Sequence, residues 1–324
     1  MKTPTIDRLD RISIVEVVGS DAATIVNNVT TNEVTSLELG EGRESFVTDV
    51  RGKTLGHVCL FREESVLRMI GAPGQSDAIH AHIDRYTIRE DATPEVMDEG
   101  YVAFVLSPDA AEIADLRLTD GVVLKSCTVT VGGVAATGYG TRWLGEGTVV
   151  VVCGKGDATA VSEGLLERLK ATGSAQLELG NESTFHQRRT REGFPWLGID
   201  LDESNLPQEA DRDDVAISFT KGCYLGQETV ARLDALGQVQ KKLVRWSISG
   251  GVPMAGTTLE SDGKKVARLT SVTEVTNVTE GESDSVLAIG FARRSHFDAG
   301  STASGTIDSE LGDGEGNSIV GTVL

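Results

Sequence analysis

The chain has 324 residues, more than one hydrophobic core usually serves, so it should divide into two or more packed units. Acidic residues outnumber basic ones 49 to 30, giving a net charge of −19, and this excludes broad nucleic-acid binding, which needs clustered Lys and Arg. No apolar run approaches the roughly 18 residues of a membrane span, and no apolar segment follows Met1-Lys2 as a secretory signal would, so the reading is a cytoplasmic protein, without a membrane role and monomeric.

The first strand is expected from Ile12 to Val18, followed by a helix capped by Ser20 and running through Ile25 and Val26. Phe46-Val47 and Thr54 to Phe61 read as strands, with Gly52 marking the turn between them. A strand from Ser65 to Ile70 precedes a helix near Gln75 to Tyr86, in which Ile79, Ile83 and Tyr86 recur at i, i+4 and i+7. Tyr101 to Leu106 is another strand. Ser107-Pro108 then supplies a cap and first turn for a short helix carrying Ile113 and Leu116.

Strands around Val129, Thr137 and Val149 to Val152 lead to an amphipathic helix begun near Asp157, marked by Val161, Leu165 and Leu169, and ended by Gly173. From Asn181 a helix runs through Phe185, His186 and Arg189 until Gly193-Phe194-Pro195 stops it. Beyond Gly237 the texture changes to short strands and turns, including Lys242 to Ile248, Lys264 to Val275 and Val286 to Phe291, with a last strand in the Gly- and Ser-rich tail after Ala299. The expected class is α+β: residues 1–240 as two interleaved α+β subdomains, and 241–324 as a separate C-terminal β-barrel.

Lysine is scarce among the cations, ten against twenty arginines. Acid excess with few lysines points to a salt-adapted cell, a halophilic archaeon, where molar salt shortens the Debye length to about 3 Å and quiets the repulsion; an ordinary acidic protein is the alternative. Four cysteines, Cys59, Cys127, Cys153 and Cys223, form no C-x-x-C pair, so neither a metal knuckle nor a disulfide framework is indicated. Cys59 and Cys153 lie in apolar runs and read as buried strand residues.

Cys223 lies in Lys221-Gly222-Cys223-Tyr224-Leu225-Gly226-Gln227-Glu228. Val230, Leu233 and Leu236 then have helical spacing, so a helix should begin just after the glycines, with Cys223 close to its amino terminus. The macrodipole and Lys221 would there favour a partly ionised thiol, and the glycines would admit a flat ligand. On these residues alone packing is the commoner role for such a cysteine.

The octapeptide resembles the signature of YgfZ-type proteins, a branch that includes a mitochondrial iron–sulfur assembly factor and is related to the glycine-cleavage T-protein, an aminomethyltransferase. Phe194 to Asp200, Leu206-Pro207-Gln208-Glu209-Ala210, Gly19-Ser20-Asp21-Ala22 and Gly52-Lys53-Thr54-Leu55 are similar too. The resemblance implies a cloverleaf of GcvT-like subdomains around a pocket for tetrahydrofolate or a one-carbon-substituted folate. It makes Cys223 the key thiol, Glu209 the reader of the pterin ring, and Lys221, Gly222, Tyr224, Gly226 and Gln227 the surrounding site. A carboxylate suits that reading because a pterin presents an amide N–H and an amino group side by side. Taken alone, Glu209 reads as a surface residue of an acidic loop.

T-proteins carry an Asp-Asp pair where this chain has Gly56 and His57, and one of those aspartates serves methylene transfer beside folate N5. A neutral imidazole cannot supply that permanent negative charge. His57 then either contacts the ligand or is a packed strand histidine, and nearby Asp49 is a poorly placed substitute. Arg232, one turn beyond Glu228, suits an i, i+4 ion pair or a folate tail. The basic run His186, Gln187, Arg188, Arg189, Arg191 suits an anionic tail, a partner, or salt bridges to surrounding acids. The function implied is a folate-binding auxiliary protein for iron–sulfur client enzymes, with effects on tRNA modification and no metal held by the chain; the alternative is an aminomethyl- or other one-carbon transferase.

Overall fold

Tyr101–Leu106 and Thr148–Gly154 are strands buried on both faces, and their sequences are accordingly apolar at most positions. The computed structural model describes residues 4–171, 177–237, 239–275, 285–307 and 317–324; the expected helix stop at Gly173 lies outside them. One sheet comprises β1 (Ile6–Leu9), β2 (Ser13–Val18), β3 (Glu41–Thr48), β4 (Thr54–Arg62), β5 (Val66–Gly71), β6 (Thr93–Val96), β7 (Tyr101–Leu106), β8 (Thr119–Asp120), β9 (Val123–Val131), β10 (Val134–Thr141), β11 (Thr148–Gly154) and β12 (Leu179–Gly180). Its order is β12-β1-β7-β11-β10-β9-β3-β4-β5-β2-β6, with β8 on β9. The two halves meet at β3 and β9 through Glu41 opposite Lys125 and Gly42 opposite Leu124.

Period-two alternation sorts the side chains of each half. Val102, Phe104 and Leu106 of β7 face α3 (Pro108–Ile113) and α4 (Ala158–Lys170), whereas Ala103 and Val105 face the opposite way. In the other half Val58 and Leu60 face α1 (Ala22–Val29) and α2 (Ser76–Tyr86), while Cys59 and Phe61 join Ala103 and Val105. That shared middle layer also takes Trp143, Phe185, Phe194 and Trp196.

Local chemistry sets several ends as expected. Ser107 Oγ accepts from Ala110 N in the first turn of α3. α5 (Glu182–Glu192) is capped by Asn181, whose side chain accepts from Ser183 N and Thr184 N, and closed by Gly193 at φ 83°. The start of α1 differs from expectation: Asp21 is its N-cap, and the Ser20 hydroxyl is bonded to Asp91 Oδ2.

The chain continues through α6 (Asp213–Ala216) and α7 (Gln227–Leu236) into β13 (Lys241–Ser249), β14 (Thr258–Ser261), β15 (Lys264–Val275), β16 (Ser285–Arg293), β17 (Thr302–Ile307) and β18 (Asn317–Val323). These close in the order β13-β16-β15-β14-β17-β18 around fully buried Trp246. The fold is α+β with a C-terminal antiparallel barrel. Two junctions fasten the barrel to the rest. Leu243 and Ile289 pack with Phe46, Leu201, Tyr224 and Val230, and buried Asp200 accepts from Arg189, Trp196 N, Thr270 and Ser271.

Candidate functional site

The octapeptide is held by its lysine. Lys221 Nζ donates to the carbonyls of Asn27, Thr30 and Asn32 at 2.8, 2.8 and 2.6 Å, around the C-terminal end of α1 where helix carbonyls lack partners of their own. Burial pushes the Lys221 pKa down to about 7 against the pull of Glu33. Leu225 N reaches Asn28 O and Thr48 Oγ1 reaches Leu225 O, so the segment is pinned on α1 and β3. Tyr224 is buried, with Lys221 Nζ 5.1 Å from its ring centroid, and burial pushes its phenol up to about 12.

Gly226 (φ +82°) explains one glycine of the signature. A Cβ there would stand 2.5 Å from the Asp49 carbonyl oxygen and from Gly52 Cα, so α7 docks backbone to backbone on the β3–β4 turn. Gln227 is the first residue of that helix. A Cβ on Gly222 would meet nothing.

Cys223 is the exposed cysteine of the four; Cys59 and Cys153 are buried and Cys127 is half-buried. The helix begins just after the glycines, as expected, but Cys223 stands outside its first turn. α7 begins at Gln227 behind its N-cap Gly226, three residues beyond Cys223, and a helix dipole fades within one turn. The Lys221 ammonium expected beside the sulfur is taken by the three carbonyls.

Glu209 is buried in a 3₁₀ turn, Pro207–Ala210. Its Oε2 accepts from Asn205 Nδ2 at 2.7 Å and Leu206 N at 3.3 Å and lies 3.3 Å from Lys241 Nζ. Its Oε1 makes no hydrogen bond among the described residues. One oxygen is anchored and the other is left to accept, an acceptor that fits a ligand N–H. Asn205 and Lys241 line a cleft of about 570 Å³ between the 198–205 turn and the barrel. A second cleft of about 400 Å³, with Thr54, Gln75 and Ser204 in its wall, opens on the other side of that turn. Both volumes lie in the range of small-molecule sites. Neither Cys223 nor Glu209 lines either of these clefts.

His57 is enclosed in the interior. Its ring stacks between Phe46 (centroids 4.5 Å, 14°) and Phe194 (5.4 Å, 18°), and Nε2 lies 2.9 Å from Glu44 Oε1. The hollow it lines holds about 10 Å³, the space of one water. Glu44 is fully buried. Burial would raise its pKa, but the charge and hydrogen bonds of Arg212, with the His57 bond, hold the carboxyl well below the usual carboxylate range. Asp49 Oδ1 accepts from Arg51 N and Lys53 N and so closes its own turn.

The remaining cations divide between solvent and structure. Arg232 is exposed and makes no ion pair with Glu228 among the described residues. Of the basic run, Arg188 pairs with buried Asp7 and Arg189 with buried Asp200, while Arg191 is exposed. Sequence reasoning missed Glu44, Arg212 and Lys241. Arg212 carried one signal, being the lone cation in the acidic stretch from Glu209 to Asp214.

No protein-family model matches the chain. It is 27% identical over 269 residues to the mouse protein named iron-sulfur cluster assembly factor IBA57, mitochondrial, covering 77% of this chain and 68% of that protein. It is 24% identical over 204 residues to the tRNA-modifying protein YgfZ of Colwellia psychrerythraea, covering 60% of this chain and 56% of that one. The crystal structure of the glycine cleavage system aminomethyltransferase T from Bartonella henselae shares the fold at a TM-score of 0.76, with 17% identity over 99% of this chain and 85% of that one. No helix among the described residues is long and apolar enough to cross a membrane. In the octapeptide and along most of its length the chain is thus similar to proteins of the YgfZ/GcvT type, and it shares the aminomethyltransferase fold.

Proposed function

We propose that this protein is a tetrahydrofolate-binding auxiliary factor, working in the cytoplasm, that supports the assembly or repair of iron–sulfur enzymes and through them tRNA modification, with Cys223 as its reactive thiol. The observation that carries this reading is the construction of the octapeptide. Lys221, Tyr224 and Gly226 are fixed against α1, the barrel and the β3–β4 turn, while Cys223 between them is exposed. A rigid segment that presents one nucleophile to solvent suits a client that must approach from outside.

Folate supplies a one-carbon unit as donor or acceptor when bound. Glu209 would accept a pterin N–H on Oε1 while Asn205, Leu206 N and Lys241 fix its orientation through Oε2. One cysteine is too few to hold a cluster, so further thiols would come from the client or from small molecules. With His57 stacked inside and bonded to Glu44, and Asp49 closing its turn, no carboxylate stands at Gly56-His57 to stabilise a developing iminium; this disfavours an aminomethyltransferase.

Calorimetry in molar KCl tests the ligand: tetrahydrofolate should bind, and Glu209→Gln should weaken it by about tenfold. Cys223→Ser should still bind folate yet fail to complement an iron–sulfur enzyme defect. Full complementation by Cys223→Ser would sink the thiol's role. Robust tetrahydrofolate-dependent release of ammonia from an aminomethyl carrier would replace the reading with a transferase.

A further inference from the structure

The proposed function asks a folate and a thiol to act together, yet Glu209 is buried in its 3₁₀ turn while Cys223 is exposed, and neither lines the clefts beside the 198–205 turn. What joins them is a short run of contacts that starts at Asn205. This residue is 2% exposed and forms part of the wall of the 570 Å³ cleft. Its Nδ2 donates to Glu209 Oε2 at 2.7 Å, its Oδ1 accepts from Asp202 N at 2.9 Å, and its carbonyl accepts from Thr54 N at 3.0 Å. The side chain thus serves the carboxylate, and the backbone serves the first residue of β4.

From Thr54 the run crosses the neck of the β3–β4 hairpin, where Thr54 stands opposite Thr48. Thr48 Oγ1 donates to Leu225 O at 2.7 Å, two residues beyond Cys223. Two further ties brace the same turn. Lys53 Nζ donates to Ser204 O, and Gly226 lies backbone to backbone on Asp49 and Gly52. Thr48 and Thr54 are both buried, so water does not compete for the bonds at the neck. Glu209 keeps Oε1 free to accept. A ligand donor on that oxygen would hold the carboxylate at both ends and narrow the motion of Asn205, whose amide is bonded to Oε2. Fixing one end of a packed run makes the local opening of its other end rarer.

We infer that Asn205 is a positioning residue that couples ligand binding at Glu209 to the seating of the Cys223 segment, so that the thiol is held in one fixed presentation when the folate is bound. The inference rests on the folate reading and adds the regulation of that site. The element with two states is the 221–228 segment, seated on α1 and the β3–β4 turn or released from them, and the ligand biases it through Asn205, Thr54 and Thr48.

The test is hydrogen exchange on the full chain in molar KCl, with and without saturating tetrahydrofolate, alongside calorimetry for affinity. Peptides containing Leu225, whose N–H donates to Asn28 O at 2.8 Å, should exchange about tenfold more slowly with the ligand, within the usual range of coupling between two sites. α4 serves as the internal reference against overall stabilisation by binding. Asn205→Ala should bind tetrahydrofolate more weakly and, at saturation, lose most of that slowing. Thr48→Val, of nearly the same shape, should keep the affinity and lose most of the slowing; should Asn205→Ala not fold, Thr48→Val alone gives the comparison. An asparagine that merely supported the fold would, when replaced, lower protection generally and leave the ligand-induced slowing intact. Slowing that survives at saturation in the variants therefore overturns the inference, since the folate then reaches the segment by another route. Binding to the wild-type protein with no change at Leu225 overturns it too and leaves the proposed function standing. Failure of tetrahydrofolate to bind removes both.

Discussion

Arg212 grips Glu44 bidentately, Nε to Oε1 at 2.7 Å and Nη2 to Oε2 at 2.6 Å, although 168 residues separate them. The guanidinium also lies 5.2 Å from the Phe194 ring centroid, and Glu44 Oε1 is shared with His57 Nε2 at 2.9 Å. The pair therefore ties the acidic loop to β3 and the aromatic stack at the centre of the fold. Removing one partner leaves a buried charge unmatched, which costs more than the pair itself contributes.

Arg212→Met should destabilise the protein by about 3–5 kcal/mol, read by denaturant unfolding in molar KCl. Glu44→Gln with Arg212→Met should recover part of that loss because no unmatched charge remains. The pH dependence has a fixed sign. Glu44 titrates at about 4.5 when unfolded and well below that when folded, so its contribution is complete above pH 4.5 and is lost as pH falls towards the folded value. Acid unfolding of Glu44→Gln should lack that part of the slope.

Asp200 governs attachment of the barrel. Its carboxylate accepts from Arg189 and Trp196 N on one side and from Thr270 and Ser271 of β15 on the other. Asp200→Ala should cost about 3–5 kcal/mol by stranding buried Arg189. Calorimetric unfolding should broaden or split as the barrel melts apart from the sheet, and a single unshifted transition would contradict this role.

Much of the architecture was legible in the sequence because its signals are local. Tyr101 to Leu106 announces a doubly buried strand, and Asn181 with Gly193 brackets α5. β1 was illegible because four residues become a strand only by pairing with β7 about a hundred residues away. Much of the site has the same character. The octapeptide names the lysine and the thiol, but Lys221 finds its acceptors about 190 residues upstream and Glu44 its cation 168 residues downstream.

Alkylation should separate the cysteines. Iodoacetamide on the folded protein, followed by peptide mapping, should modify Cys223 first and Cys127 more slowly. Burial pushes the Cys153 thiol up to about 11 and Cys59 higher still, so both should react only on unfolding. Rapid native labelling of Cys59 would contradict the packed middle layer.

The Lys221 latch should titrate. Burial lowers its pKa from 10.5 to about 7, so between those values the unfolded chain holds more protons than the folded one, and this group makes stability rise with pH across that window. Locally the effect runs the other way, because a neutral amine donates fewer and weaker bonds to three carbonyls than an ammonium does. The rate of Cys223 alkylation, corrected for the thiol's own ionisation with a model peptide, should therefore show an extra rise centred near pH 7 as the segment loosens. Lys221→Met should lose about 2–3 kcal/mol by leaving those carbonyls without their donor and should abolish the extra rise. If it persists in Lys221→Met, the ammonium does not control how the thiol is presented, and another group must hold the segment on α1.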